Sequence, residues 1–118
     1  MALHKLAAVD LAAKIKAGDV TSVEATEAAL VRLKAAHQKC NAVIAFEDDE
    51  ALAAARAADA ALQSGQPTGP LHGVPLAHKD MFDRAGKIAS WGGNIRAAQP
   101  CAQDGTLIER FKAAGSHQ

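Results

Sequence analysis

Helix start and stop signals are the strongest structural constraint in this sequence, and they divide its first half into helical stretches. Apolar residues recur at helical spacing from Leu6 to Ile15, and Gly18 follows where a helix typically ends. Thr21 and Glu24 have the spacing of a capping box, in which the hydroxyl accepts a backbone N–H and the carboxylate bonds back to the cap residue. The sequence therefore predicts one helix before Gly18 and a second from Thr21 to about residue 37.

An acidic run indicates the start of a third helix. Residues 47 to 50 are Glu, Asp, Asp and Glu, and an alanine-rich stretch follows directly, from residue 51 to 63. Carboxylates at a helix N-terminus are favoured by the helix dipole, by about 0.3–1 kcal/mol each when exposed. A metal site is the alternative interpretation, but four consecutive acids do not converge on one face of a regular element. We therefore expect a helix that ends before Gly65.

Two other segments have the composition of strands. Residues 42 to 46, which follow Asn41, predict a short buried strand. After an exposed turn at residues 66 to 70, residues 71 to 82 predict a strand and its exit loop, and residues 105 to 114 return to helix. We expect a single segment over residues 1–118, mostly helical over 1–65 and built of strand, loop and helix over 66–118. Because alanine supplies much of the 49% hydrophobic content, the packing should be shallow.

The charge balance argues against two classes of partner. Formal net charge is zero, from 13 basic and 13 acidic residues. Nucleic-acid binding needs basic groups that replace counterions on phosphates, and aromatic residues, which stack on bases, are only 3% of this chain. A neutral chain is not attracted to anionic lipid, and no stretch approaches the ~20 apolar residues of a membrane span. We expect neither a nucleic acid nor a membrane as partner.

Cysteine usage and the N-terminal residues indicate the compartment. Cys40 and Cys101 are the only cysteines, and nothing else suggests a secreted disulfide scaffold, so we expect free thiols. Charged residues such as Lys5 and Asp10 interrupt the first 18 residues, which leaves no apolar signal core. The sequence therefore favours a cytoplasmic protein.

The strongest candidate for a catalytic residue is Lys79, at the end of the second predicted strand. Strand side chains alternate between faces, so Val74 and His78 should lie on one side and Lys79 on the other. Burial at the end of an apolar strand disfavours a charged ammonium, and a neutral lysine near pH 7 takes a proton from a hydroxyl. A solvated Lys-Asp pair is the alternative interpretation, and the strand alone favours it, because most such pairs at strand ends are solvated and structural ion pairs also perturb lysines.

The surrounding sequence resembles a known family. Residues 69 to 80, Gly-Pro-Leu-His-Gly-Val-Pro-Leu-Ala-His-Lys-Asp, closely resemble the lysine motif of amidase-signature enzymes. Residues 18–22 and 41–44, each before a helix, and residues 104–106 at the start of the last helix also resemble that family. The resemblance covers essentially residues 11 to 118 in one collinear order.

The resemblance implies a fold and a chemistry. The fold is α/β: the N-terminal helices and first strands of the amidase-signature α/β/α arrangement, with a central mixed sheet. The chemistry is hydrolysis of carbon–nitrogen amide bonds by a Ser–Ser–Lys triad. Lys79 would be general base and acid for a bridging serine held by a cis peptide, and that serine would activate a second, which attacks the amide and forms an acyl-enzyme. The implied substrate is a small-molecule amide, and neither a metal nor an organic cofactor is implied.

The resemblance also implies that this segment holds only one member of the triad. Both serines are expected in a Gly/Ser-rich stretch downstream of residue 118. The serines present are interpreted as structural residues at helix ends or turns: Ser22, Ser64, Ser90 and Ser116. We therefore expect the 118-residue chain to be inactive by itself.

Two positions depart from the family pattern. His78 stands where the motif usually has an apolar residue, and it either tunes the neighbouring lysine or packs on the opposite strand face, which is the interpretation we favour. Gly93 stands where the family often has a small hydroxyl residue, so any hydrogen bond from that side chain is missing. The remaining histidines have no metal-ligand spacing with cysteines or acids and are interpreted as surface or packing residues: His4, His37, His72 and His117.

Two further roles stay open for the chain alone. One is a non-catalytic amidase remnant that acts as an interaction or dimerisation module, with an exposed apolar sheet face that favours self-association. The other is association with a complementary C-terminal part that restores amidase activity.

Overall fold

Four α-helices and one short 3-10 helix form the regular structure of residues 2–117. The computed structural model describes residues 2–117; Met1 and Gln118, the two ends of the predicted 1–118 segment, lie outside the described residues. The 3-10 helix spans Leu3–Lys5, and the α-helices are α1 (Ala8–Ala17), α2 (Ser22–Cys40), α3 (Asp48–Gln63) and α4 (Thr106–Ala113). Within this described part, no helix has the length and apolar character to span a bilayer.

The predicted end of the first helix and the predicted start of the second are confirmed. Gly18 closes α1 in the left-handed conformation, at a φ of 80°. Both bonds of the capping box are formed: the Thr21 side chain accepts from the backbone N–H of Glu24 at 3.0 Å, and the Thr21 N–H donates to the Glu24 carboxylate at 2.8 Å. α2 continues past the predicted end at residue 37 to Cys40, where Asn41 takes a left-handed φ of 49°.

The acidic run begins α3, as predicted. Asp48, Asp49 and Glu50 occupy the first turn of the helix, where the dipole favours them. α3 packs against α2, and Ala51 and Ala55 are buried on that side. Alanine makes up half of the buried apolar residues of the described chain, which agrees with the expected shallow packing.

The prediction of a buried strand at residues 42–46 is wrong. This segment is irregular, and 74% of Ile44 is exposed. A strand needs a neighbouring strand to satisfy its backbone N–H and C=O groups, and no described residue pairs with this segment in a β-bridge. Apolar composition alone therefore misled the sequence interpretation.

The predicted strand within residues 71–82 forms only an isolated parallel bridge, between Pro75 and His117. Its backbone pairs with residues 114–117 through four hydrogen bonds: Leu71 N to Ala114 O (2.8 Å), Gly73 N to Gly115 O (3.0 Å), His117 N to Val74 O (3.1 Å) and Leu76 N to His117 O (2.7 Å). Pro75 has no N–H to donate, which limits the ladder. No extended strand occurs among residues 2–117, so the first strands of a central mixed sheet are represented only by this pairing and two other single bridges.

The main apolar core lies where α1, the start of α2 and the paired segment meet. Its buried members are Leu11, Ala12, Ile15, Val20, Ala25 and Val74. Half-buried leucines from the N-terminus, α3 and the paired segment surround it. Because Val74 belongs to this core, the chain just before Lys79 is anchored to the helices.

Candidate active-site segment

The segment that carries Lys79 is extended, and its side chains alternate between two environments. Val74 is buried and His78 half-buried on one side, whereas Ala77 and Lys79 are exposed on the other. This confirms the predicted separation of His78 from Lys79. The Lys79 carbonyl accepts from the N–H of Met81 at 2.7 Å, so a turn begins at the lysine. Lys79 forms no ion pair with any residue from 2 to 117. Its side chain is exposed, so the burial of the lysine that the sequence suggested for a strand end is not present.

Asp80, the neighbour of Lys79, is held by Ser90. The Ser90 N–H donates to one carboxylate oxygen at 3.0 Å, and the Ser90 hydroxyl donates to the other. A backbone bond from the Trp91 N–H to the Asp80 carbonyl, 3.1 Å long, lies beside this contact. The hydrogen bond from the Ser90 side chain lowers the pKa of Asp80 below its usual value, and the charge of Lys79 acts in the same direction.

His78 packs away from the lysine, towards the loop that follows it. Its ring lies 6.3 Å from the ring of Phe82, centroid to centroid, and its Nδ1 is buried without a hydrogen-bond partner among the described residues. Burial lowers the pKa of His78, and the charge of Arg84 lowers it further, while Glu47 opposes the shift. The favoured interpretation of His78 as a packing residue agrees with this position.

An ion-pair cluster ties the loop after Lys79 to the start of α3. Glu47 accepts from Arg84 at 2.6 Å, and both side chains are largely shielded from solvent. Lys87 bridges Glu47 at 3.2 Å and Glu50 at 2.5 Å. Sequence reasoning missed this cluster, because it interpreted the acidic run only as a helix start and the bases lie about 37 positions away along the chain.

Each serine hydroxyl has a structural partner. Ser22 is fully buried, and its hydroxyl donates to the Gly73 carbonyl at 2.6 Å, which fixes the lysine-bearing segment to the first turn of α2. The hydroxyls of Ser64 and Ser116 donate to backbone carbonyls at 3.0 Å each, and Ser90 holds Asp80. These contacts agree with the interpretation of all four serines as structural residues.

Three of the remaining histidines make packing contacts between elements. His72 Nε2 lies 2.8 Å from the Ala58 carbonyl, and His117 Nε2 lies 3.0 Å from the Thr26 hydroxyl. His37 Nδ1 accepts from a backbone N–H at 3.2 Å. No group of three metal-ligating side chains occurs in the part of the chain that the structure describes. The two cysteines are not bonded to each other: Cys40 is exposed and Cys101 half-buried.

The geometry and sequence of this segment match a known family. The family model described as Amidase matches residues 24–117, and the chain belongs to the amidase family. Among curated relatives, a glutamyl-tRNA(Gln) amidotransferase subunit from Chloroflexus aurantiacus is 42% identical over 97% of this chain and 23% of its own length. The corresponding subunit from Streptomyces coelicolor is 42% identical over 93% of this chain and 22% of its own length.

Solved structures of amidase-signature enzymes have the same fold over nearly the whole chain. A fatty acid amide hydrolase aligns with a TM-score of 0.92 at 31% identity, over 98% of this chain and 20% of that one. The peptide amidase of Stenotrophomonas maltophilia aligns with a TM-score of 0.82 at 31% identity, over 95% of this chain and 23% of that one. The chain thus spans less than a quarter of the length of these proteins, and its fold is consistent with their α/β class.

Proposed function

We propose that these 118 residues are the lysine-bearing segment of an enzyme that cleaves carbon–nitrogen amide bonds through a Ser–Ser–Lys triad. The observation that carries the proposal is the position of Lys79 within the motif at residues 69–80. The motif is anchored by Val74 in the core and by the bond from Ser22 to Gly73, while the lysine itself points away from the core. A fixed backbone and a side-chain amine without an ion-pair partner among residues 2–117 suit a lysine that must reach a hydroxyl on another part of the active site.

In the proposed mechanism Lys79 moves one proton in each direction. In its neutral form it accepts a proton from a bridging serine, which at the same time takes the proton of a nucleophilic serine as that oxygen attacks the amide carbonyl. The proton returns along the same path to the leaving amine when the carbon–nitrogen bond breaks, which leaves an acyl-enzyme. Water or another acceptor then cleaves the acyl-enzyme and regenerates the serine.

The two serines belong to polypeptide outside these 118 residues in this proposal. The four serine hydroxyls of the chain all donate to structural acceptors, so none of them is offered as the nucleophile. We therefore propose that the chain alone hydrolyses no amide and works with a complementary part of the enzyme. Several relatives are named as subunits, and association with further protein is proposed here on that basis.

The test begins with the protein that the native gene produces. Its intact mass is measured first, and a form that contains the triad is assayed with a panel of small amides, beginning with primary amides. Lys79→Ala and Lys79→Arg should each lower kcat/KM by about 10²–10⁴-fold, because proton transfer by a positioned base contributes that much and a guanidinium cannot act as a base. Lys39→Ala, in the last turn of α2, is the matched control and should keep wild-type activity.

Turnover that survives in folded Lys79 variants would refute the assignment of Lys79. A second candidate, a non-catalytic module for self-association, is favoured by exposed apolar side chains such as Trp91 and Ile95, which are 59% and 97% exposed. Inactivity of every native form, with wild-type Lys79 present, would support this second candidate over the enzyme.

A further inference from the structure

We infer that Asp80 and Ser90 are positioning residues for Lys79: Ser90 holds the Asp80 carboxylate away from the neighbouring ammonium and closes the loop that follows the lysine. This inference rests on the proposed function of Lys79. It assigns a task to two residues that the triad does not include.

The geometry of the contact uses both oxygens of the Asp80 carboxylate. One accepts from the Ser90 N–H at 3.0 Å and the other from the Ser90 hydroxyl. The Trp91 N–H donates to the Asp80 carbonyl at 3.1 Å. Because three hydrogen bonds join residue 80 to residues 90 and 91, residues 81–89 form a loop closed directly beside Lys79.

The Ser90 side of the contact is itself fixed. The Ser90 hydroxyl oxygen accepts from the Gly92 N–H at 3.2 Å, and the Ser90 carbonyl accepts from the Gly93 N–H at 3.0 Å. Between them Trp91 has a left-handed φ of 57°, which is uncommon for a residue other than glycine. Surrounding contacts must stabilise such a conformation, and they include the bond from the Trp91 N–H to Asp80 and the Arg96 guanidinium 5.1 Å from the centre of the Trp91 ring.

The consequence for Lys79 follows from charge. Lysine and aspartate are neighbours in sequence, yet no ion pair forms between them, and both oxygens of the carboxylate accept from Ser90 instead. The two acidic side chains at the start of α3 that reach this loop are engaged as well: Glu47, the residue before the helix, by Arg84 and Lys87, and Glu50 by Lys87. Asp83, in the loop itself, accepts from the Cys101 thiol at 3.4 Å, and Asp80 is the carboxylate that Ser90 keeps from the ammonium.

Loss of the Ser90 hydroxyl would free one oxygen of this carboxylate to pair with Lys79, while the backbone N–H of residue 90 still holds the other. An opposite charge within about 4–6 Å favours the charged form of an amine, and a charged lysine cannot accept a proton. The enzyme would then need a higher pH to reach the same rate. A residue that only supported the fold would lower activity equally at all pH values, so the pH profile separates the two roles.

The first measurement is the pH profile of kcat/KM in the triad-containing protein. Ser90→Ala should move the rising acid limb to higher pH by about one unit, the size of shift that one nearby opposite charge produces. Ser90→Thr keeps the hydroxyl and should keep the wild-type profile. Ser64→Ala removes a hydroxyl that donates to the Ala61 carbonyl at the end of α3, a bond that involves neither Asp80 nor Lys79, and it is the matched control. A Ser90→Ala profile with an unmoved acid limb would overturn the inference.

The second measurement does not depend on activity. The Asp80 carboxyl is titrated by NMR in the 118-residue chain, and Ser90→Ala should raise its pKa because the main cause of its lowered pKa is removed. If the wild-type triad-containing protein hydrolyses amides but the titration of Asp80 does not respond to Ser90, only the inference fails. If no form hydrolyses amides while Asp80 responds as expected, the proposed function fails, and the positioning role fails with it.

Discussion

Asp59 is expected to be the most important single side chain for joining α3 to α2. Its two carboxylate oxygens accept from the N–H groups of Ser22 and Val23, at 2.7 and 3.1 Å. These donors belong to the first turn of α2, where a helix has no acceptors of its own. Ser22 is fully buried, so water cannot replace the carboxylate at that N–H. Asp59→Ala should lower the free energy of unfolding by about 3 kcal/mol, from ~1.5 kcal/mol for each of two charge-assisted bonds.

The assay is urea unfolding of the 118-residue chain, followed by far-ultraviolet circular dichroism. Asp59→Asn keeps one acceptor oxygen and should cost about half as much as Asp59→Ala. Asp19→Ala, in the exposed turn before α2, is the matched control and should change stability by no more than about 0.5 kcal/mol. If Asp59→Ala were as mild as this control, the capping box at Thr21 would be sufficient for the helix start, and the reasoning about Asp59 would be refuted.

Two further predictions concern the pairing of residues 71–76 with residues 114–117. Gly69→Ala should destabilise the chain by about 1–3 kcal/mol in the same urea assay, because a Cβ there would overlap the backbone carbonyl of Ala114. Gly93→Ala is the control and should be tolerated, because the nearest atom to its Cβ would be 3.9 Å away. Burial lowers the pKa of His117 below its usual 6.5, so the unfolded chain binds the proton more readily and the free energy of unfolding should fall as pH drops below about 6.5. His117→Gln should reduce this pH dependence without abolishing it, because the pKa of His78 is lowered as well; an unchanged slope would contradict the role of His117.

The candidate site was only partly predictable from the sequence. The motif around Lys79 is contiguous, so its resemblance to one family could be read directly from residues 69–80. The separation of His78 from Lys79 followed from the alternation of an extended chain. The Asp80–Ser90 contact was not predicted, because the sequence interpretation placed Ser90 only in a turn and nothing local pairs it with an acid ten positions earlier.

The sequence by itself determined the features that depend on neighbours three or four positions apart. The stop at Gly18, the capping box of Thr21 and Glu24, and the acidic start of α3 each arise within one helical turn, and the structure has them all. The amidase family is likewise carried by short motifs in a fixed order.

Only the tertiary structure decided which segments pair with one another. Residues 42–46 have the composition of a strand but form no β-bridge with any residue from 2 to 117, whereas residues 71–76, interrupted by a proline, pair with the chain after α4. The bonds from Ser22 to Asp59 and to Gly73 span 37 and 51 positions. Backbone and carboxylate groups accept hydrogen bonds from any suitably placed donor, so their partners are set by how the helices pack and not by the identity of the residues alone.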